Sequence, residues 1–385
     1  MNEAATGLDA NRLQHLRSTI EADVAAGRYF GAVICVARHG KAALQCSIGS
    51  ADAAGTQPLA LNSVFSLFSL TKALTNVLVF RAIELGQFAL TTRVVEIIPQ
   101  FSGGMREQVT FAHLLTHSSG LPPVWIPKPG MYIDRLDEII DAICDNVRSI
   151  EQPGRRVHYS PLVHHALMGE AVRRCDPAGR SYRDLLQDEL LTPLAMNDTA
   201  IGVRKDLTAR HVFPDFRGHP PQEHLGRSNL GPQGAFAEEH AEMPWVGGIS
   251  TVPDLFRFAE MLRCGGTLDG RRIVSPATLR LATRNHTGEK PNELYKSIAI
   301  NYGWEPYPAY IGLGFQLAGD SICPGLFGTL TSSGTFGNYG SGSTLFWVDP
   351  EMQMTFVCLT AGVMQAAPNI ERFQRLSDIA ASAAL

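Results

Sequence analysis

Two pairs of apolar, strand-like segments stand near opposite ends of this chain of 385 residues, and they restrict its fold more than any other feature. Short apolar runs on either side of a Gly- or Pro-containing turn are typical of β-hairpins. The paired segments are 31–37 with 42–48 and 343–348 with 353–360. Hairpins at both ends, with helical periodicity between them, predict an α+β fold. In it, one antiparallel sheet is built from both chain ends and flanked by helices, and an all-helical domain is inserted.

Helical spacing of apolar residues accounts for most of the remaining chain. The segments with this spacing are 11–26, 71–85, 109–115, 136–150, 161–174, 182–190, 253–263 and 369–384. The length allows two domains, or one domain with a lobe. We expect a sheet domain from residues 1–86 and 247–385, and a mainly helical domain from residues 87–246. Residues 203–246 are rich in Pro, Gly, His and charge, and we expect them to form irregular loops.

The charge and cysteine content limit which partners and which cellular compartment we expect for this protein. Lys and Arg number 33 against 37 Asp and Glu, so no polycationic surface favours nucleic acid. No apolar run approaches about 18 residues, and we expect no membrane span. The first residues lack the basic-then-apolar pattern of a signal peptide. The 7 cysteines are dispersed, with no C-x-x-C pair. These features predict a cytoplasmic protein with reduced thiols.

Several common site motifs are missing from the sequence. It contains no H-E-x-x-H, no G-x-x-x-x-G-K-[ST], no G-x-G-x-x-G after a strand and no G-x-S-x-G. The histidines show no ligand spacing. We therefore expect no metal and no cofactor.

A single S-x-x-K tetrad, Ser69-Leu70-Thr71-Lys72, opens the most apolar of the helical segments. Residues i and i+3 share a helix face, so Lys72 can approach the Ser69 hydroxyl. The positive end of the helix dipole favours an oxyanion there. The tetrad alone also fits a serine N-cap followed by a solvated lysine.

Further motifs follow the tetrad in a fixed order. They are Leu114-Leu115-Thr116-His117-Ser118-Ser119-Gly120-Leu121, His158-Tyr159-Ser160, Pro193-Leu194-Ala195-Met196-Asn197-Asp198-Thr199, Gly247-Gly248-Ile249-Ser250-Thr251, Gly312-Leu313-Gly314-Phe315 and Gly337-Asn338-Tyr339-Gly340-Ser341-Gly342-Ser343-Thr344. With this series the chain resembles the β-lactamase-related serine hydrolases, from about residue 12 to 380. This superfamily includes class C β-lactamases, D-Ala-D-Ala peptidases, family VIII carboxylesterases and lovastatin-type acyltransferases. The resemblance implies an antiparallel sheet flanked by helices, an all-helical domain and a cleft between them.

The resemblance also implies roles for individual residues. Ser69 would be the nucleophile, Lys72 the acceptor of its proton, and Tyr159 the group that shuttles a proton to the leaving group or activates the deacylating water. The backbone N–H groups of Ser69 and Ser341 would form the oxyanion hole. Tyr159 alone also fits a surface aromatic at a helix start, and the glycines near Ser341 also fit a bulge.

Two departures from the family pattern bear on the substrate. β-Lactamases and D-Ala peptidases usually carry Lys or His where this chain has Asn338, and Asn where it has Pro161. Without that cation, an anionic substrate loses a contact of about 1.5 to 3 kcal/mol. Carboxylesterases of the superfamily also depart at these positions, so the pattern is closest to family VIII carboxylesterases.

The strand residues Asn338, Tyr339 and Gly340 are candidates for substrate binding. Aromatic residues in loop-like stretches would make the pocket apolar. Those we expect to contact substrate are Trp125, Trp245 and Trp304, although each equally fits loop packing.

We expect a serine carboxylesterase that acts on a small neutral ester through a Ser69 acyl-enzyme. Acyl transfer or amide cleavage at the same site remains an alternative, as does a catalytically silent binding protein of the same fold. Oligomeric state and physiological substrate are not specified by the sequence.

Overall fold

The computed structural model describes residues 6–217 and 237–385. Within these ranges the strands in chain order are β1 (Gly31–Arg38), β2 (Lys41–Gly49), β3 (Val64–Ser66), β4 (Ala200–Ile201), β5 (His211–Val212), β6 (Gly248–Ser250), β7 (Thr267–Leu268), β8 (Arg271–Arg272), β9 (Gln316–Leu317), β10 (Phe336–Gly340), β11 (Thr344–Asp349) and β12 (Met354–Ala361).

The α-helices lie mostly between β3 and β4 or between β6 and β9. They are α1 (Ala10–Ala25), α2 (Thr71–Glu84), α3 (Val94–Ile97), α4 (Phe111–Leu115), α5 (Leu136–Asn146), α6 (Val163–Cys175), α7 (Tyr182–Leu186), α8 (Val252–Arg263), α9 (Pro276–Ala282), α10 (Glu293–Asn301) and α11 (Ala366–Ala381). No helix among the described residues is long and apolar enough to cross a membrane.

The two terminal hairpins join in one six-stranded sheet, as the sequence predicts. Its strand order is β2-β1-β12-β11-β10-β9, with antiparallel pairing throughout. β1 therefore pairs with β12, whose sequence position is more than 300 residues away, Gly31 opposite Ala361. The α+β fold class is confirmed.

Both faces of strands β1, β11 and β12 are buried, which explains why these strands are mostly apolar, whereas the edge strand β2 is partly exposed. On one face Val33 and Phe346 belong to the core that includes α2 and α8. On the other face Ile34, Trp347 and Phe373 belong to a second core, formed with α1 and α11. The sheet thus lies as a middle layer between helices α2 and α8 on one face and helices α1 and α11 on the other.

Helix α2 lies where the sheet meets the helices between β3 and β4. It contacts β10 on one side and helices α6 and α7 on the other. Eleven of its 14 residues are buried. A helix that is apolar on all sides is expected in such a central position.

Two strands inside the segment predicted as helical belong to a small sheet. Its order is β4-β6-β3-β5, so β4 and β5 pair with strands on either side of that segment. The loop region predicted for 203–246 contains a 3₁₀ turn at Lys205–Arg210 and β5, while residues 218–236 lie outside the described ranges. The division into domains at 86/87 and 246/247 stays a prediction.

Several helices are shorter than the periodicity predicts, for local reasons at one of their ends. α4 begins at Phe111 because the Thr110 side chain caps it. α5 ends at Asn146, where Val147 adopts an extended conformation. α7 ends at Leu186 and is followed by a π-helical turn over Gln187–Leu191.

Helix α8 should contribute strongly to stability through one ring. Phe258 is fully buried and meets Phe346 of β11 edge-on, with ring centroids 5.7 Å apart. We expect Phe258→Ala to lower the free energy of unfolding by about 3–5 kcal/mol. The matched change Leu85→Ala, at a residue 66% exposed, should cost less than about 0.5 kcal/mol. Urea titrations would test this, and equal midpoints for both variants would contradict it.

Candidate active site

Ser69 lies in a tight turn between β3 and α2. The Leu67 N–H donates to the Gly248 carbonyl at 2.8 Å, and a 3₁₀ turn over Phe68–Leu70 leads into the helix. Phe68 has a φ of 53°, in the left-handed region that costs a non-glycine residue free energy. The N-cap of α2 is Leu70, without a side-chain cap. Ser69 is therefore held at the positive end of the helix dipole and does not act as its N-cap.

Lys72 is buried, with 2% of its surface exposed. Its Nζ lies 3.0 Å from Ser69 Oγ and 2.9 Å from each of the Pro161 and Trp245 carbonyl oxygens. Burial lowers the pKa of Lys72 well below its usual value. In the neutral amine, two N–H groups can donate to the carbonyls, and the lone pair then faces the Ser69 hydroxyl. The arrangement suits a general base.

Tyr159 stands on the other side of the serine. Its side chain lines the same cavity as Ser69, and its ring centroid lies 5.3 Å from Lys72 Nζ. Burial raises the pKa of Tyr159, so its phenol keeps its proton at neutral pH. The neutral amine can accept a proton while the phenol can donate one.

His117 fixes Tyr159 in place through three contacts. Its carbonyl accepts the His158 N–H at 2.8 Å and its Nδ1 accepts the Ser160 N–H at 3.0 Å. Its ring packs on Tyr159 with centroids 4.8 Å apart. The residues before and after Tyr159 are thus both anchored to His117. The sequence motif contained His117 but indicated no role for it.

Two further histidines continue this cluster away from the serine. His164 Nδ1 lies 3.2 Å from His117 Nδ1, and His165 Nε2 lies 3.0 Å from Asn76 Oδ1. Burial lowers the pKa of all three histidines, and the charge of Lys72 adds to this effect. The cluster is therefore uncharged at neutral pH.

The glycine-rich strand β10 and the turn after it pack against the nucleophile segment. A Cβ on Gly340 would lie 2.2 Å from the Leu67 carbonyl oxygen, and one on Gly342 would lie 2.0 Å from the Phe68 ring. Only glycine permits this approach. It brings Ser341, which lies between the two glycines, next to the Ser69 turn.

Asn338 and Tyr339 point to opposite faces of β10. Asn338 lines the catalytic cavity and donates from Nδ2 to the Gly314 carbonyl at 3.2 Å. The Tyr339 hydroxyl accepts from Asn369 Nδ2 at 3.1 Å, in the core on the far face of the sheet. Tyr339 also lines the catalytic cavity, and its contact with substrate stays a prediction.

The three tryptophans expected at the substrate do not line the catalytic cavity. Trp245 is 2% exposed, with its indole in the core while its carbonyl faces Lys72. Trp304 packs against the second core. Trp125 is exposed. Sequence patterns could not show the contributions of Trp245 and Pro161, because both act through backbone carbonyls.

The cavity at Ser69 encloses about 320 Å³, counting the part open to solvent. Its lining is Ser69, Lys72, His117, Tyr159, Ile311, Gly314, Phe315, Gln316, Asn338 and Tyr339. No group of three or more His, Cys, Asp or Glu in the described part of the chain is placed to hold a metal ion. The lining brings together the Ser69 hydroxyl, an amine that can accept a proton and a phenol that can donate one.

Comparison with known proteins identifies a matching family and several similar proteins. Residues 16–381 match the beta-lactamase family. Penicillin-binding protein 4 of Amycolatopsis lactamdurans is 28% identical, over 64% of this chain and 63% of its own length. Esterase/beta-lactamase LipL of Mycobacterium tuberculosis is 24% identical over 86% of this chain and 76% of its own length.

Among solved structures, a family VIII carboxylesterase superposes with a TM-score of 0.74. The superposition covers 96% of this chain and 98% of that one, at 20% sequence identity. It supports the fold predicted from the motifs.

The contacts of His117 yield a test of its role. We expect His117→Ala to slow labelling of Ser69 by a fluorophosphonate on the order of 10- to 100-fold, because Tyr159 loses its anchor. His117→Asn should recover much of the rate, since an amide oxygen can accept the Ser160 N–H.

The control is His15→Ala, which removes an exposed histidine from α1. It should label at the wild-type rate. Equal rates for His117→Ala and His117→Asn would contradict a positioning role that depends on the hydrogen-bond acceptor.

Proposed function

Because this chain belongs to the beta-lactamase family, we propose that it is a serine esterase that cleaves a neutral carboxylic ester through an acyl-enzyme on Ser69. The observation that carries the proposal is the distance of 3.0 Å between Lys72 Nζ and Ser69 Oγ, in a cavity that Tyr159 also lines. The relative LipL, whose name includes esterase, adds support.

In acylation, neutral Lys72 takes the proton of Ser69 as its oxygen attacks the ester carbonyl. The N–H groups of Ser69 and Ser341 stabilise the oxyanion, helped by the dipole of α2. Tyr159 donates its proton to the departing alkoxide, and Lys72 returns a proton to Tyr159. The ester C–O bond breaks, and Ser69 carries the acyl group.

Deacylation reverses these roles with water as the nucleophile. The regenerated neutral amine of Lys72, acting directly or through Tyr159, accepts a proton from water. Attack on the acyl-enzyme carbonyl then releases the carboxylic acid and restores Ser69.

The cavity lining supports a neutral substrate. Lys72 and His117 are the described lining side chains that can become positively charged, and burial favours the neutral form of both. Asn338 is uncharged, and Pro161 offers a carbonyl that Lys72 already occupies. A substrate carboxylate would lose solvation without gaining a cation, which costs about 1 to 2 decades in affinity.

Cytoplasmic location is part of the proposal. All 7 cysteines are free thiols, in accord with a reducing compartment.

Substrate class can be tested by direct comparison of two chromogenic substrates. We expect hydrolysis of p-nitrophenyl butyrate with a kcat/KM at least 100-fold above that for nitrocefin, because the cavity lacks a cation for the β-lactam carboxylate. Ser69→Ala should abolish the ester activity. Fast nitrocefin turnover with little ester cleavage would contradict the proposal.

The lowered pKa of Lys72 predicts the pH dependence. Because only the neutral amine accepts a proton, kcat/KM should rise as pH increases through the pKa of Lys72, well below 10.5. It should then level off while Tyr159, whose pKa is raised, stays protonated.

Lys72→Arg retains the charge but cannot deprotonate, so we expect a loss of about 10²–10⁴-fold. The exposed Lys41→Arg serves as its matched control and should leave the profile unchanged. A Lys72→Arg enzyme with wild-type activity would remove Lys72 as the base.

A further inference from the structure

A second cavity lies beside the catalytic one and is larger. It encloses about 730 Å³, counting the space open to solvent. Residues 307–311, 316–318 and 321–328 form most of its wall, and α10 and α11 close it. We call it the side chamber.

A tight hairpin separates the side chamber from the catalytic cavity. In the hairpin the Leu317 N–H donates to the Tyr310 carbonyl at 2.8 Å, and Ile311 pairs with Gln316. Ile311 and Gln316 line both cavities. The two spaces therefore adjoin across a single pair of side chains.

The chamber wall also contacts the catalytic tyrosine. Asn292 lines the chamber, and its Oδ1 accepts the Tyr159 N–H at 3.3 Å. Tyr295 and Gln316 are further wall residues. A group bound in the chamber would thus lie next to the residues that position Tyr159.

The side chamber is preformed. Its outer wall is attached to α11, where the Gly325 N–H donates to Gln374 Oε1 at 3.2 Å and Ser377 Oγ donates to the Leu326 carbonyl at 3.0 Å. At the hairpin, the Gly314 carbonyl accepts from Asn76 and Asn338. Anchoring at both ends reduces the ordering cost of binding.

The chemistry of the chamber selects against charge. None of its lining residues is Asp, Glu, Lys, Arg or His. Its floor is apolar, from Leu326, Phe327 and Ile370, all less than 9% exposed. The Tyr310 hydroxyl lies 2.7 Å from Ser321 Oγ and donates to Glu289 Oε2 at 3.3 Å, so both hydroxyls have partners. An ionised group would enter without a counter-charge, while an apolar group would leave water.

We propose that the side chamber binds a large uncharged aliphatic or aryl group of the substrate while the ester carbonyl lies at Ser69. This inference rests on the proposed esterase function and adds a substrate class to it. The group can belong to the acyl or the alcohol part of the ester, since either part can bear an uncharged aliphatic or aryl group.

Filling the chamber provides the test. Ala318 lies in its wall, and Ala318→Trp would occupy the space. The acyl series compares p-nitrophenyl octanoate with p-nitrophenyl acetate. The alcohol series compares 1-naphthyl acetate with phenyl acetate. Each result is a ratio of two kcat/KM values, which cancels any loss of folded enzyme. The control Ala178→Trp adds the same side chain at an exposed turn.

In the series that uses the chamber, wild-type kcat/KM should rise about fourfold per buried methylene. Ala318→Trp should lower the large-to-small ratio at least tenfold in that series, and Ala178→Trp should not. A ratio unchanged within twofold in both series would overturn the chamber proposal. Absence of Ser69-dependent cleavage of all four esters would instead overturn the esterase proposal.

A second measurement does not depend on catalysis. Cys323 lines the chamber as a half-buried free thiol. In Ser69→Ala protein, n-octanol should slow its reaction with methyl methanethiosulfonate at least threefold, while ethanol at equal concentration should not. Equal rates with both alcohols would overturn binding in the chamber.

Discussion

Burial of the Lys72 amine is the interaction on which the rest of the site depends. Three separated parts of the chain surround Nζ, namely the Ser69 turn, Pro161 before α6 and Trp245 before β6. Each must be in place to exclude water and orient the amine. Folding of the helices and of the sheet is therefore a precondition for a basic lysine, because an exposed lysine would stay protonated at neutral pH.

The same constraint explains why so much of the surroundings is uncharged. His117, His164 and His165 are buried beside Lys72 and held neutral. The catalytic cavity is lined by Asn338 in place of a cation, and the side chamber has no charged lining. A neutral environment keeps the amine neutral and at the same time favours neutral substrates, so the base and the proposed specificity have one physical origin.

The fold was predictable to a large extent because its signals are local or repeated. Hairpin turns, helix α2 and the S-x-x-K tetrad each lie within a few residues, and the order of motifs specified the family. The expected substrate contacts of Trp125, Trp245 and Trp304 stay a prediction, because they rest on a weaker signal. Aromatic residues in loops fit core packing and binding equally well, and only the packed chain shows that the Trp245 indole faces the core.

The sequence by itself determined the α+β class, the helix that begins within the tetrad of Ser69 and Lys72, and the tyrosine motif near residue 159, since periodicity and motif spacing are properties of the chain. Only the tertiary structure decided what surrounds them. The carbonyls of Pro161 and Trp245, the anchoring of Tyr159 by His117 and the chamber behind Ile311 and Gln316 arise from backbone atoms and contacts between distant segments. Such contacts leave no pattern in the order of residues, because they exist only once the segments are packed together.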